Sequence, residues 1–89
     1  MKIRQINFLP KFHKNWDALP KEAQIKARKT IEFFRADPFH PSLRLHPLRG
    51  NLRKYWSISV DRKCRIILRI EGDIANFYSI GSHAIYEKM

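Results

Sequence analysis

The sequence predicts an α+β fold of order β-α-α-β-β-β, in which two N-terminal helices pack on one face of a small antiparallel sheet. Apolar residues recur at three- and four-residue spacing through residues 20–36, as they do on one face of a helix. Apolar and polar residues instead alternate through residues 55–60 and 64–70, as in strands with one buried face. Short polar segments separate the last three strands, which favours hairpins between them.

Prolines mark the limits of the two predicted helices. Pro10 can occupy the first turn of a helix, so we expect a short helix over residues 11–19. The longer helix over residues 20–36 ends at the Asp37-Pro38 pair, because the residue before a proline disfavours the helical conformation. Residues 38–53 hold three prolines and are predicted to be irregular.

The strand segments differ in how they distribute apolar residues. Residues 2–8 suit a first strand. In the segment 64–70, the alternation places Arg65 and Arg69 opposite the apolar side chains that would contact the helices. Residues 74–80 are apolar on both faces, which indicates a central strand. The sheet face opposite the helices therefore stays available for a ligand.

Charge is the strongest compositional signal. Eighteen Lys and Arg residues stand against eight Asp and Glu, giving a formal net charge of +10 on 89 residues. Such a charge attracts polyanions and acidic proteins, although a merely soluble basic surface stays an alternative. The cations are spread along the chain and no apolar run reaches the roughly 20 residues of a membrane span, so we expect no membrane partner.

Length and cysteine content limit the organisation of the chain. Its 89 residues predict a single domain over residues 1–89. One cysteine allows no internal disulfide, which fits the reducing cytoplasm. Cys64 falls on the apolar face of its strand and is interpreted as structural. No metal site and no glycine-rich phosphate loop is visible, so neither a metal nor another cofactor is expected.

The remaining chemistry-bearing residues suit cleavage of RNA. His46 precedes the three-strand region, His83 follows it, and Arg65 and Arg69 lie on the open face. Histidine can take the proton of the attacking 2′-hydroxyl or return one to the leaving oxygen, and arginine can hold the phosphate. Ordinary roles stay open, because loop histidines are usually solvated and Arg65 could be a plain exposed strand residue.

Four segments stand in a distinctive order along the second half of the chain. They are His46-Pro47-Leu48-Arg49-Gly50, Tyr55-Trp56-Ser57-Ile58, Cys64-Arg65-Ile66-Ile67-Leu68 and Ile80-Gly81-Ser82-His83-Ala84-Ile85-Tyr86. Their order and spacing resemble the RelE/ParE toxin superfamily, in particular its RelE-like and YafQ-like mRNA interferases. The resemblance implies a RelE-like fold with two helices on one side of the sheet.

The resemblance also implies a function. Such a protein is the toxin of a type II toxin–antitoxin pair, held inactive by a cognate acidic antitoxin. It acts in the cytoplasm as a metal-independent endoribonuclease that cleaves mRNA in the ribosomal A site and so inhibits translation.

Site residues follow from the same resemblance, position by position. Arg65 matches the arginine that supports the scissile phosphate, and His83 matches the histidine proposed as general acid. His46 stands where related toxins place a proposed general base. Tyr86 falls near the aromatic residue that positions the nucleotide. The expected RNA-binding cations are Arg49, Arg53, Lys54 and Arg69.

The sequence departs from the family pattern at two places. YafQ-like toxins carry an acidic residue and a histidine on the middle strand or its turn, where this chain offers only Asp61, also a common turn residue. The arginine that RelE places on its last strand has no match. Two alternatives therefore stay open: a ParE-like toxin that inhibits DNA gyrase without catalysis, and a basic RNA-binding protein without activity.

Overall fold

The computed structural model describes residues 2–82. It consists of a five-stranded mixed sheet with two helices packed on one face. This confirms the predicted α+β fold class. The elements in chain order are β1 (Gln5–Phe8), α1 (Pro10–Ala18), α2 (Lys21–Ala36), β2 (His46–Pro47), β3 (Trp56–Ser59), β4 (Arg65–Glu71) and β5 (Ile74–Gly81). Neither helix in this part of the chain is long and apolar enough to cross a bilayer.

The strand order is β1-β5-β4-β3-β2, so β5 lies inside the sheet as its apolar composition predicts. Strands β2 to β5 pair antiparallel in succession, whereas β1 pairs parallel with β5. The prediction of a purely antiparallel sheet is therefore wrong for β1. The physical reason is that no hairpin links β1 to β5, since both helices and three strands separate them along the chain.

Strand β2 interrupts the segment 38–53 that was predicted to be irregular. Two residues of β2 pair with β3, His46 with Ser57 and Pro47 with Trp56. A two-residue strand shows no alternation in the sequence, and its proline argues against a strand. Pro47 is tolerated because β2 is an edge strand, where a missing amide proton breaks no ladder.

The core fills the space between the helices and the sheet. Phe77 of β5 is fully buried, and its ring contacts the rings of Phe8, Phe12 and Phe34 with centroid distances of 5.5, 5.8 and 5.5 Å. All three pairs meet edge to face, an arrangement that aromatic rings prefer. These contacts join β1, α1 and α2 to one strand.

A side chain of α1 hydrogen-bonds to the backbone of β5 at the end of this strand. Strand β1 ends at Phe8, which pairs with Phe77, and among residues 2–82 no strand pairs with the edge of β5 beyond this point. Asn15 of α1 lies there, and its Oδ1 accepts a hydrogen bond from the Ile80 amide at 3.3 Å. Helix α1 therefore satisfies a backbone donor that the sheet leaves unpaired.

A β-bulge separates two registers between β4 and β5. Ile67 pairs with Ser79 and Leu68 pairs with Phe77, which leaves Tyr78 as an extra residue on β5. Bulges of this kind redirect a side chain relative to regular alternation.

The β3–β4 turn is organised by Asp61. Its Oδ1 accepts hydrogen bonds from the amides of Lys63 at 2.8 Å and Cys64 at 2.7 Å, and its Oδ2 lies 3.5 Å from Lys26 Nζ on α2. Desolvation raises the pKa of Asp61, but the two amide hydrogen bonds and the Lys26 ammonium outweigh it, so the pKa lies below its ordinary value. Asp61 is thus a turn residue that ties the hairpin to α2.

Replacing Asp61 by Ala is expected to lower the free energy of unfolding by about 1–2 kcal/mol at neutral pH, since two backbone donors lose their acceptor. The pKa of this carboxyl is lower in the folded chain than in the unfolded one. Its stabilisation is therefore present above pH ~4 and is lost as the pH falls through the folded value. Urea unfolding at pH 7 and pH 3 measures both effects.

The matched control is Asp17→Ala, which removes the same charge from an exposed position of α1. An equal loss for both variants, or a loss for Asp61→Ala that is as large at pH 3 as at pH 7, would contradict this role.

Candidate functional site

The sheet face turned away from the helices, here called the outer face, carries the site residues within the described range. His46, Ser57, Ile67 and Ser79 stand in register across β2, β3, β4 and β5. Because directly paired residues project to the same face, these four side chains form one row. Ser57, Ile67 and Ser79 are fully buried, and His46 is exposed at the end of the row.

His46 is held by the backbone that precedes it. Its Nδ1 lies 2.8 Å from the Arg44 carbonyl oxygen, and a carbonyl can only accept, so Nδ1 donates. In the neutral ring the lone pair is then on Nε2. Arg44 has a φ of 50° and closes the 3-10 turn Pro41–Leu43. The local chain therefore fixes both the orientation and the tautomer of the imidazole.

Arg65 occupies the outer face at the first residue of β4, where it pairs with Ser59 and Gly81. Its side chain is half-buried. Among the described residues no carboxylate lies within salt-bridge distance of its guanidinium. Two strand spacings and two residues separate it from His46, which corresponds to about 12 Å between the Cα atoms.

Arg69 shares this face but is already engaged. Its Nη2 lies 3.6 Å from Glu71 Oε1, and its guanidinium carbon lies 5.9 Å from the centroid of the Tyr55 ring. Four residues along β4 separate it from Arg65, or about 13 Å. The two arginines thus flank the row that begins at His46.

Three further predicted cations lie in the loop between β2 and β3. Arg49, Arg53 and Lys54 are exposed around a 3-10 turn that begins at Gly50, whose φ is +66°. The loop adjoins the end of the outer face where Tyr55 lies, since the Leu48 amide donates to the Tyr55 carbonyl. These cations therefore extend the basic surface beyond Arg69 and do not surround His46.

The predicted general acid His83 and the predicted nucleotide-positioning residue Tyr86 lie outside the described residues. Their roles stay predictions. Strand β5 ends at Gly81, which pairs with Arg65.

Two tyrosines on the outer face were missed by the sequence reasoning. The rings of Tyr55, which directly precedes β3, and Tyr78 of β5 have centroids 5.4 Å apart although β4 lies between these two strands. The alternation with Trp56, which packs against the core, assigns Tyr55 to the outer face, but it gives no signal of a functional role. Alternation from Phe77, which lies in the core, likewise places the next residue, Tyr78, on the outer face.

Cys64 is excluded from the site. It is 6% exposed and belongs to the core cluster, as its position in the strand pattern predicts. Burial, with a smaller effect of the neighbouring Asp61 carboxylate, raises the pKa of its thiol to about 11. Within residues 2–82 no group of three His, Cys, Asp or Glu side chains could hold a metal ion.

The helical side of the molecule has a separate concavity. An open groove of about 500 Å³ lies there, lined by apolar residues such as Phe12, Trp16 and Ile31 together with Arg28 and Arg35. None of the predicted site residues within 2–82 lines it.

Comparison with known proteins identifies what this fold resembles. A family model described as the ParE-like toxin domain matches residues 21–88. No curated protein sequence matches the chain. Among solved structures, YafQ from E. coli strain BL21(DE3) has a TM-score of 0.78 at 18% identity, covering 93% of this chain and 97% of its own.

Two further structures are similar to a comparable degree. An E. coli DinJ-YafQ toxin-antitoxin complex matches with a TM-score of 0.76 at 17% identity, covering 96% of this chain and 97% of the matched one. A YoeB/ParE toxin from Agrobacterium tumefaciens matches with a TM-score of 0.75 at 16% identity, covering 90% and 99% respectively. These likenesses establish the shared fold.

The thiol of Cys64 is expected to resist alkylation in the folded chain at pH 8 and to react at once in urea. A buried thiol whose pKa is near 11 offers little thiolate at that pH. The raised pKa also means that the thiol's contribution to stability is complete below the unfolded value and is lost as the pH rises towards 11. Mass spectrometry after iodoacetamide treatment measures the reaction. Rapid modification of the folded chain would contradict the assignment of Cys64 to the core.

Proposed function

The chain belongs to the ParE-like toxin domain family, and on this basis we propose that it is the toxin of a type II toxin–antitoxin pair. We further propose that it is a metal-independent endoribonuclease that cleaves mRNA in the ribosomal A site and thereby inhibits translation.

The observation that carries this proposal is that His46 and Arg65 project from the same face of the sheet. His46 presents an Nε2 lone pair in its neutral form, and Arg65 presents a guanidinium without a carboxylate partner in the described part of the chain. The ~12 Å between their Cα atoms is a distance that two long side chains and one phosphodiester group between them can span. A base and a phosphate-binding cation are thereby available together.

The chemistry follows from these two groups and His83. Nε2 of His46 takes the proton of the 2′-hydroxyl, and the 2′-oxygen attacks the adjacent phosphorus. Arg65 holds the non-bridging oxygens, whose negative charge grows in the transition state. His83 returns a proton to the departing 5′-oxygen. The products are a 2′,3′-cyclic phosphate and a 5′-hydroxyl, and DNA is not a substrate because it lacks the attacking group.

The other predicted site residues serve binding in this scheme. Arg69 and the loop cations Arg49, Arg53 and Lys54 attract the phosphate backbone along one side of the cleavage position. Tyr86 contacts the nucleotide at that position.

An acidic antitoxin is the proposed protein partner. The related E. coli YafQ was solved in a toxin-antitoxin complex with DinJ, and the net charge of +10 favours an acidic polypeptide. The proposed site of action is the cytoplasm, where the ribosomes are, and no cofactor enters the scheme.

Gyrase inhibition without catalysis and RNA binding without activity are the two alternatives that the sequence leaves open. A gyrase inhibitor of this fold has no need of an oriented imidazole on the same face as an arginine that has no carboxylate partner among residues 2–82. If the chain only binds RNA, we expect replacement of His46 by alanine to leave RNA binding unchanged. A supercoiling assay and the variants below separate the three functions.

The substitution His46→Gln is expected to lower the cleavage rate of ribosome-bound mRNA by about 10²–10⁴-fold, because glutamine cannot accept the proton. Arg65→Ala is expected to lower both the rate and the RNA affinity. Primer extension on mRNA bound to purified ribosomes measures cleavage, and thermal unfolding checks that each variant is folded.

His13→Gln is the matched control, since His13 is an exposed histidine of α1 on the helical side. Wild-type cleavage by a folded His46→Gln variant would overturn the assigned base. Intact mRNA with the wild-type protein, together with inhibited supercoiling, would replace the proposal by gyrase inhibition.

A further inference from the structure

Tyr55 and Tyr78 form a cation-flanked aromatic pair on the outer face that the cleavage scheme does not use. Their ring centroids are 5.4 Å apart, with the planes inclined by 49°. Arg69 lies over the Tyr55 ring at 5.9 Å, and Lys11 Nζ lies over the Tyr78 ring at 5.2 Å. Each ring thus has a positive charge near one face, which holds it in place.

The pair is not part of the hydrophobic core. Neither tyrosine belongs to the core cluster, and both side chains are half-buried on the polar side of the sheet. Neither phenol hydroxyl hydrogen-bonds within residues 2–82. In that part of the chain Ser79 Oγ is the one buried side-chain oxygen or nitrogen without a partner, so both phenol oxygens reach solvent. Tyrosine rings that only fill space usually bury and pair the hydroxyl.

Strand alternation brings the two rings to the same face. Phe77 is a core residue that pairs with Leu68, so the next residue along β5, Tyr78, projects to the outer face. Tyr55 precedes Trp56, which packs against the core, and therefore lies on the outer face as well, and the two rings meet across β4. The bulge places Ser79, which pairs with Ile67, on the same face, so the tyrosine pair adjoins the row that begins at His46.

The position relative to the candidate cleavage site fits a neighbouring nucleotide. Arg69 contacts Tyr55. It lies two residues along β4 from Ile67, which is the β4 residue of the row that begins at His46. This step is about 7 Å. Arg65 lies on the other side of the row, so the tyrosine pair and the phosphate-binding arginine flank the proposed reaction centre.

We propose that Tyr55 and Tyr78, with Arg69 and Lys11, form a stacking platform for one unpaired base of single-stranded RNA next to the cleaved phosphodiester. The proposal rests on the ribonuclease function proposed above. Aromatic side chains bind unstacked bases through their faces, and an adjacent cation contacts the phosphate of the same nucleotide. The Tyr55–Tyr78 platform would position the strand and would not take part in proton transfer.

The test uses the full chain and a fluorescent oligoribonucleotide of about eight nucleotides. Its riboses carry 2′-fluoro groups, so attack by a 2′-oxygen cannot occur. A series of probes places a single abasic site at each position in turn. For the wild-type protein we expect one or two positions at which the abasic probe binds roughly 5- to 150-fold more weakly, as loss of one stacked base requires.

The variants Tyr55→Leu and Tyr78→Leu are expected to weaken binding of the intact probe by a similar factor and to become insensitive to those abasic positions. Tyr55→Phe and Tyr78→Phe keep the rings and are expected to bind within about twofold of wild type. Phe39→Leu is the remote control, since Phe39 is a 58% exposed aromatic residue after α2. The abasic series with wild-type protein decides the matter even where a leucine variant fails to fold.

The outcomes separate this inference from the proposed function. Equal binding of all abasic probes, or no binding of the intact probe, would overturn the Tyr55–Tyr78 platform even if the protein cleaves mRNA. Position-dependent binding by a protein that leaves ribosome-bound mRNA intact would support the platform and overturn the ribonuclease proposal.

Discussion

The two-residue period of β4 is the constraint on which the rest of the molecule depends. This strand lies at the centre of the sheet, paired on both sides, and its side chains alternate strictly between two environments. Ile66 and Leu68 enter the core with the helices, whereas Arg65 and Arg69 project to the outer face. A shift of one residue would exchange these sets and place two guanidinium groups in the core, where the loss of their hydration is costly.

Much of this architecture could be predicted because it depends on local patterns. The apolar stripe of α2, the alternation in β4 and the proline at the start of α1 are each determined by neighbouring residues, and all three are found in the structure. The parallel direction of β1, the two-residue strand β2 and the bulge at Tyr78 could not be predicted in this way. The first results from pairing between distant segments, and the other two from the way in which consecutive strands align; the local sequence carries no signal for either.

The candidate site likewise has residues that local patterns predict and contacts that they do not predict. Arg65 was assignable to the outer face by alternation alone. His46 was placed near the sheet by its position before the strands, but the hydrogen bond that fixes its tautomer depends on the left-handed conformation of Arg44, a non-glycine residue. The Tyr55–Tyr78 contact depends on the strand order, which puts β3 and β5 on the two sides of β4. Sequence reasoning therefore identifies residue types and faces, while tertiary pairing determines which of them meet.

The proposed base, His46, lies on the element with the weakest backbone support. Strand β2 has two residues, pairs on one side only and includes a proline, so few hydrogen bonds oppose its detachment from β3. Local opening of this edge releases the imidazole from its register with the row on β3, β4 and β5 while the aromatic core around Phe77 stays intact. In the proposed ribonuclease, the placement of the base and global folding are thereby separable, and a partner that binds this edge would displace the base without unfolding the chain.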